Sequence, residues 1–273
     1  MTNLGANDCS ALKASDVGLS LSEAEASIAA PFTSKNFEIE CVVTLMREGR
    51  AALVTSFSCF KYMAMYSFIQ FMSVTMLYNV GSNLGDLQFL YVDLILILPL
   101  AITMAHNGAW EYLHSKKPTA NLLSGKVLTS LFGQVIIQFI FQLVLYVSIK
   151  KLPFYKLPET DPETEKVDCF ENTVLFINSS FQYIILAFVY SIGPPYRAPI
   201  SQNTSFIMTV MILLLLTTLL SMGIWKGLNS VMALVELPFW FKIGLILYSL
   251  LNFGISWIGE RFIFPILTKR MRQ

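Results

Sequence analysis

The sequence predicts a mainly α-helical protein that crosses a membrane several times. Hydrophobic residues make up 55% of the 273 residues and charged residues only 14%, whereas about a quarter of the residues in a soluble domain are charged. Six stretches are apolar and long enough to cross a hydrocarbon core about 30 Å thick. Residues 1–50 instead have the composition of a soluble α/β segment. We therefore expect a polytopic membrane protein with six transmembrane helices, preceded by the remnant of a Rossmann-like domain.

The N-terminal segment alternates helix and strand signals. Asn7 and Asp8 suit the N-cap of a short helix, and the alternation over residues 17–21 suits a strand. A capping box over residues 22–25 predicts a helix that ends at Pro31. Half of a Rossmann-like unit cannot bury both of its faces, so we expect other parts of the domain to precede it.

The first membrane helix is predicted to be unusually long. Residues 51–80 contain no glycine or proline, which permits one helix about 45 Å long. Such a helix exceeds the hydrocarbon core, so we expect residues 57–78 to cross it and the rest to project as a stalk. Lys61 is expected near the cytosolic interface, where its long side chain reaches the polar region.

The six predicted spans set the topology. They cover residues 55–80, 87–105, 127–149, 173–192, 206–225 and 241–259. An even number of spans places both ends of the chain on one side, and Lys and Arg concentrate on that side, which is therefore predicted to be cytosolic. We divide the chain into a cytosolic remnant and hinge at 1–50, a transmembrane domain at 51–262 and a basic cytosolic tail at 263–273.

A carboxylate lies well inside the second span. Asp93 at membrane depth is unfavourable by several kcal/mol unless a partner, water or a cationic ligand compensates its charge. Asp86, Phe89 and Asp93 follow i, i+3, i+7 spacing and share one helix face, with the two carboxylates about 10 Å apart along the axis. The position of Asp93 favours a cation transport path over a plain membrane anchor; the alternative is an aspartate paired with a neighbouring helix.

A polar and aromatic stripe on the first span can face the carboxylates of the second span. It includes Tyr66 and Gln70, and the short connection over residues 79–84 makes the two spans neighbours. Such a cleft suits an elongated organic cation, because carboxylates bind its charges and aromatic rings bind ammonium or methylene groups. The alternatives are that Tyr66 and Gln70 only hydrogen-bond between helices, and that Asp86 is solvated at the lumenal interface.

The remaining composition limits other classes of function. The four cysteines show no CxxC or zinc spacing, so we expect neither a disulfide framework nor a metal site. The net charge of +1 gives no indication of a nucleic-acid partner, and we expect none. The partners that the sequence predicts are the lipid bilayer and a polyamine or another organic cation.

Several segments resemble one family over almost the whole chain. Residues 5–13, GANDCSALK, look like the hinge motif GDGxNDxxALK of P-type ATPases and supply Gly5, Asn7, Asp8 and Lys13. Further segments resemble the B subgroup of the type V transporters: ASDVGLSLSEAEASIAAPFTSK, REGRAALVTSFSCFKYMAMYSFIQF, NLGDLQFLYVDL and FENTVLFINSSFQY.

This resemblance implies a fold and an activity. The spans would be the fifth to tenth helices of a ten-helix core, following a remnant of a haloacid-dehalogenase-like phosphorylation domain. The implied activity is ATP-driven movement of polyamines from the lumen of late endosomes or lysosomes to the cytosol. The substrate groove of the subgroup would include Tyr66, Gln70, Phe89 and Asp93. ATP and magnesium are implied for a full-length member.

The departures from the family pattern concern catalysis. Asn3 and Leu4 stand where the motif has Gly-Asp, so a magnesium ligand is missing. The DKTGT motif with the phosphorylated aspartate is also absent. Because phosphoryl transfer needs a nucleophile, magnesium and a phosphate cradle, we assign no catalytic residue and expect the chain alone to be inactive, without a cofactor.

Three hypotheses follow. The chain is the C-terminal part of such a pump, as a fragment, an incomplete gene model or a short isoform. Alternatively, it is a non-enzymatic regulatory or binding subunit that associates with a full-length homologue. The third hypothesis is an independent six-helix cation channel or carrier.

Overall fold

The computed structural model describes residues 2–3, 9–21, 30–36, 38–157 and 167–270. The hinge residues Gly5, Asn7 and Asp8 and the helix predicted over residues 22–30 lie outside these ranges, apart from Ala30. The described part is mainly helical, as predicted, with a very small sheet near the N-terminus.

The sheet has three parallel strands of two residues each. Strands β1 (Thr2–Asn3), β2 (Leu19–Ser20) and β3 (Phe32–Thr33) lie in the order β1-β2-β3, and helix α1 (Cys9–Ala14) follows β1. Leu12 of α1 is buried against Ala30. The parallel order is compatible with a Rossmann-like origin, but six strand residues do not establish that fold, so the assignment stays a prediction.

Helix α2 runs without interruption over Glu40–Tyr78, 39 residues in all. At 1.5 Å per residue it is about 58 Å long, which is nearly twice the thickness of a hydrocarbon core. The predicted continuous helix is therefore present, and it begins at Glu40, eleven residues before the predicted start at Ala51. Gly81 turns the chain with a φ of 68°, a left-handed conformation that glycine adopts without strain.

The later helices agree with the predicted spans to within a few residues at most ends. They are α3 (Asp86–Ala105), α4 (Gly125–Ile149), α5 (Phe170–Tyr190), α6 (Thr204–Met222) and α8 (Phe239–Arg270). Two of them contain a π-helical turn, Tyr91–Ile97 in α3 and Gly259–Ile263 in α8. The short helix α7 (Lys226–Val231) lies between α6 and α8 and corresponds to no predicted span. The last helix continues past the predicted end of its span as far as Arg270, so the described part of the predicted basic tail, residues 263–270, is helical.

Five described helices are long and apolar enough to cross a membrane: α3, α4, α5, α6 and α8. Helix α2 is not among them, because the half of α2 that was predicted to cross carries Lys61, Tyr66 and Gln70 between its apolar residues. The count of six spans is thus not confirmed. The prediction that both ends lie on the cytosolic side depends on that count and likewise stays a prediction.

Helix α5 forms the centre of the bundle. Nearly all of its side chains are buried, and it packs against α2, α4, α6 and α8. Its Gln182 accepts a hydrogen bond at 3.0 Å from Gln142 of α4, which also donates to Ser73 of α2 at 3.0 Å. Buried amides need such partners, so these bonds fix how the three helices pack.

Close packing between α4 and α8 gives a first testable prediction. A Cβ atom on Gly133 would lie 2.3 Å from Cε1 and 2.4 Å from Cζ of the buried Phe264 ring. Replacing Gly133 with alanine should therefore displace that ring and lower the free energy of unfolding by about 1–3 kcal/mol. Thermal unfolding of the detergent-solubilised chain measures the loss.

Gly244 provides the matched control. It lies inside α8 with nothing within 4 Å of an added Cβ, so Gly244→Ala should leave stability unchanged or raise it by up to about 1 kcal/mol. Equal unfolding temperatures for Gly133→Ala and Gly244→Ala would show that the Phe264 ring does not pack against Gly133.

Candidate functional site

The two predicted stripes on α2 and α3 meet at Tyr66 and Asp93. The Tyr66 hydroxyl donates a hydrogen bond to Asp93 Oδ1 at 2.5 Å. On its other side, the Tyr66 ring lies 5.7 Å from the ring of Tyr183 on α5, measured between centroids. The Tyr66 ring therefore packs against Tyr183 of α5, while the Tyr66 hydroxyl contacts the Asp93 carboxylate.

Asp93 lies in the π-helical turn of α3. A π turn inserts extra backbone into the helix and changes which direction the following side chains face, and such turns occur often at functional sites. In this turn Tyr91 and Val92 are buried, whereas Asp93 is exposed. The sequence prediction assumed a regular α-helix with i, i+3, i+7 spacing, and it therefore did not include the change of register in the π turn.

The other predicted residues have different surroundings. Gln70 is half-buried on α2 and its side chain interacts with the Tyr66 hydroxyl. Phe89 is half-buried and packs against the core. Asp86 is exposed in the first turn of α3, where the helix dipole favours a negative charge. Within the described residues, Asp86 makes no hydrogen bond or ion pair with the Tyr66–Asp93 pair.

The exposed side of this pair can bind a cation. An ionised carboxylate has about four lone-pair positions, and the Tyr66 hydroxyl occupies one of them. No Lys or Arg of the described residues forms an ion pair with Asp93. The arrangement therefore leaves the negative charge of Asp93 only partly compensated and open on the surface of α3.

A second charged cluster lies deeper and was not expected. Lys61 Nζ is 2.8 Å from Glu260 Oε1 of α8, and it donates to Ser130 Oγ of α4, also at 2.8 Å. The ammonium also lies 4.3 Å from the centroid of the Tyr190 ring. Both charged side chains are nearly buried, with exposed fractions of 7% for Lys61 and 12% for Glu260.

The predicted position of Lys61 near the cytosolic interface stays a prediction. Its side chain is buried within the bundle, where Glu260 and Ser130 provide a carboxylate and a hydroxyl. The only sequence signal was Glu260 itself, an acid at the end of the last apolar stretch. A cavity of about 280 Å³ adjoins this cluster, and Lys61, Ser130 and Glu260 line it.

Burial shifts the pKa values of Arg197 and Cys169, which lie outside the candidate spans. Burial lowers the pKa of the Arg197 guanidinium, which still remains charged near neutral pH because an arginine pKa starts above about 12. Arg197 Nη2 donates to the Met104 carbonyl at 2.6 Å, at the C-terminal end of α3. Burial also raises the pKa of the Cys169 thiol, which caps the start of α5 by accepting from the Asn172 N–H. Both groups hold helix ends in place.

The chain is similar to known cation-transporting ATPases. It is 48% identical over 250 residues to vacuolar cation-transporting ATPase YPK9 of Saccharomyces cerevisiae. The aligned residues cover 91% of this chain and 17% of that protein. It is 40% identical over 274 residues to human polyamine-transporting ATPase 13A3, covering 92% and 22% respectively. For human polyamine-transporting ATPase 13A2 the identity is 48% over 210 residues, covering 77% and 18%.

The curated homologues are P-type cation- and polyamine-transporting ATPases of the 13A family. The resemblance found in the sequence is thereby confirmed. No protein-family model matches the chain. The chain spans about a fifth of the length of these 13A relatives, as the shares of 17% and 22% show.

P-type ATPases use ATP and magnesium in the full-length protein. Lys13 of the hinge motif is exposed near the end of α1, while Gly5, Asn7 and Asp8 lie outside the described residues. In the part of the chain that the structure describes, no three His, Cys, Asp or Glu side chains come together as a metal site.

Proposed function

We propose that this chain is the C-terminal transmembrane part of an ATP-driven pump that moves polyamines or related organic cations. The observation that carries the proposal is the contact between Tyr66 and Asp93 at 2.5 Å on an exposed face of α3. In this proposal Tyr66, Gln70, Phe89 and Asp93 form one side of the substrate groove.

The chemistry of the groove suits a polyamine. One ammonium group of the ligand binds the Asp93 carboxylate, and the aromatic faces of Tyr66 and Phe89 accept a neighbouring ammonium or methylene group. Asp86 lies seven residues before Asp93, about 10 Å along the helix axis. This separation allows a second amine of an extended polycation to reach Asp86, whereas a compact monovalent cation contacts one carboxylate only.

The homologues support the wider proposal. Relatives with 40–48% identity over the membrane helices are described as cation- or polyamine-transporting ATPases. In the proposed pump, both ends of this chain are cytosolic, the membrane is that of a late endosome or lysosome, and the missing N-terminal half or a full-length homologue supplies ATP hydrolysis. This chain alone binds the cation without hydrolysing ATP.

Binding of radiolabelled spermine to the chain in lipid nanodiscs tests the proposal. We expect saturable binding that spermidine displaces and choline does not. Tyr66→Phe should weaken binding about fivefold, because the carboxylate loses a charge-assisted hydrogen bond. Tyr78→Phe is the matched control, since Tyr78 lies on the same helix with its side chain 60% exposed.

The outcomes distinguish the hypotheses. Absence of saturable spermine binding would contradict the proposed groove. Spermine efflux from liposomes that hold this chain alone would favour an independent channel or carrier. Co-purification with a complete 13A pump, together with altered polyamine uptake, would favour a regulatory subunit.

A further inference from the structure

A second polar cavity lies where α6, α7 and α8 meet. Its volume is about 250 Å³, and the side chains that line it include Thr173, Ser221, Lys226, Asn229, Glu236 and Lys242. Helices α6 and α8 are both candidate membrane spans, and the cavity lies at their adjoining ends. It is therefore positioned at a membrane interface.

Lys242 is buried in the wall of this cavity. Only 8% of its surface is exposed, and Nζ donates to the Met222 carbonyl at 3.0 Å, at the C-terminal end of α6. An ammonium group has three donors, so the carbonyl accounts for one. Within the described residues, no carboxylate lies within ion-pair distance of Lys242. The negative pole of α6 offsets part of the charge, and no side chain of the described residues forms an ion pair that neutralises the rest.

Two further polar atoms of the cavity wall lack partners. Ser221 Oγ and Asn229 Oδ1 are buried and form no hydrogen bond, although Asn229 Nδ2 donates to the Leu220 carbonyl at 3.3 Å. Ser221 itself is only 2% exposed. A buried polar atom without a partner is destabilising by about 1–3 kcal/mol. The residues that line the cavity thus include an ammonium, a hydroxyl and an amide oxygen whose remaining hydrogen bonds no described residue provides.

The surroundings indicate where the occupant comes from. Trp225 directly precedes the lining residue Lys226, and Trp240 lies two residues before the lining residue Lys242. The two tryptophans are 46% and 56% exposed. Exposed tryptophans are typical of the headgroup level of a bilayer. Two lysines and one glutamate line the cavity, so its net charge favours an anionic group.

We propose that this cavity binds the phosphodiester headgroup of a membrane phospholipid. The phosphate oxygens accept hydrogen bonds from Lys242 Nζ and the Ser221 hydroxyl, and Lys226 adds positive charge at the mouth. The Glu236 carboxylate and Asn229 Oδ1 accept from the donor end of the headgroup, which an ethanolamine ammonium supplies. This site is separate from the Tyr66–Asp93 pair and does not depend on the proposed transport of polyamines.

Titration with a short-chain phospholipid tests the site. The probe is dihexanoyl-phosphatidylethanolamine, added to the whole chain in detergent, with tryptophan fluorescence and the unfolding temperature as readouts. Dihexanoylglycerol, which lacks the phosphate, and sodium phosphate at equal ionic strength form the other two arms. We expect the phospholipid to bind and stabilise the chain, and dihexanoylglycerol not to do so.

Two variants and one control localise the binding. Lys242→Met should raise the Kd of the phospholipid about tenfold or more, and Ser221→Ala about threefold or more, because each removes a donor to the phosphate. Lys151→Met should leave the Kd unchanged, since Lys151 is an exposed lysine in the turn after α4. If Lys242→Met does not fold, Ser221→Ala decides the question, because the hydroxyl that it removes has no hydrogen-bond partner among the described residues.

Each outcome has a defined meaning. Inorganic phosphate that binds as tightly as the phospholipid, with the same sensitivity to both variants, would support the phosphate site and assign it a soluble ligand. Equal binding of dihexanoylglycerol and the phospholipid would overturn the proposal. Unchanged affinity in both Lys242→Met and Ser221→Ala would also overturn it.

Discussion

Replacing Lys61 with methionine is expected to lower the free energy of unfolding of this chain by about 3–5 kcal/mol. Glu260 is only 12% exposed and would keep its carboxylate in the bundle with Ser130 as the hydrogen-bond donor that remains. Removing one partner of a buried ion pair leaves an uncompensated charge. The expected loss in free energy of unfolding is therefore larger than for a substitution that removes a similar volume without leaving a charge.

Equilibrium unfolding of the chain in detergent measures the loss in free energy of unfolding. Two further variants test whether the loss comes from the unpaired charge. Lys126→Met is the matched control, because Lys126 is an exposed lysine that lines the same cavity. The double variant Lys61→Met, Glu260→Gln should recover most of the stability, since a buried neutral pair no longer carries an unpaired charge. A loss for Lys61→Met no larger than that for Lys126→Met would mean that water solvates Glu260.

The positions of most helices could be predicted from the sequence because each depends on a local apolar run. The span predicted over residues 87–105 is the helix Asp86–Ala105, and the one over 127–149 is Gly125–Ile149. The apolar length of a segment limits where a membrane helix begins and ends, and no information about neighbouring helices is needed. The same reasoning did not settle α2, whose polar residues reduce its apolarity.

Contacts between distant segments could not be predicted in this way. Lys61 and Glu260 are 199 positions apart, and hydropathy alone gives no information about which helices pack together. The contact of Lys242 with the Met222 carbonyl depends on the turn through α7, which the sequence prediction did not include. The burial of both lysines depends on partners in other segments, which hydropathy does not reveal.

The Tyr66–Asp93 contact is an intermediate case. The two helices are joined by a short loop, so the sequence was sufficient to place their polar stripes side by side. The π-helical turn at Tyr91–Ile97 determines that Asp93 is exposed while Tyr91 and Val92 are buried. A π turn has no clear signature in hydrophobic periodicity. The pairing of Tyr66 with Asp93 was therefore predictable, whereas the direction in which Asp93 faces was not.

Asp93→Asn is expected to weaken spermine binding by the chain about 10- to 100-fold. The amide has nearly the shape of the carboxylate, and its oxygen can still accept from the Tyr66 hydroxyl, so the fold should be preserved. The substitution removes the negative charge that attracts an ammonium group. Equilibrium binding of radiolabelled spermine in nanodiscs measures the change, and Asp168→Asn, which alters an exposed acid before α5, is the control.

Comparing ligands of different length separates binding in the groove from general attraction by negative charge. Asp86→Asn should weaken binding of spermine but not of the shorter putrescine, because only an extended polycation reaches both carboxylates about 10 Å apart. Asp93→Asn should weaken both ligands. If Asp93→Asn binds spermine as tightly as the unmodified chain, the Tyr66–Asp93 hydrogen bond serves helix packing alone, and the carboxylate is not the group that selects the cation.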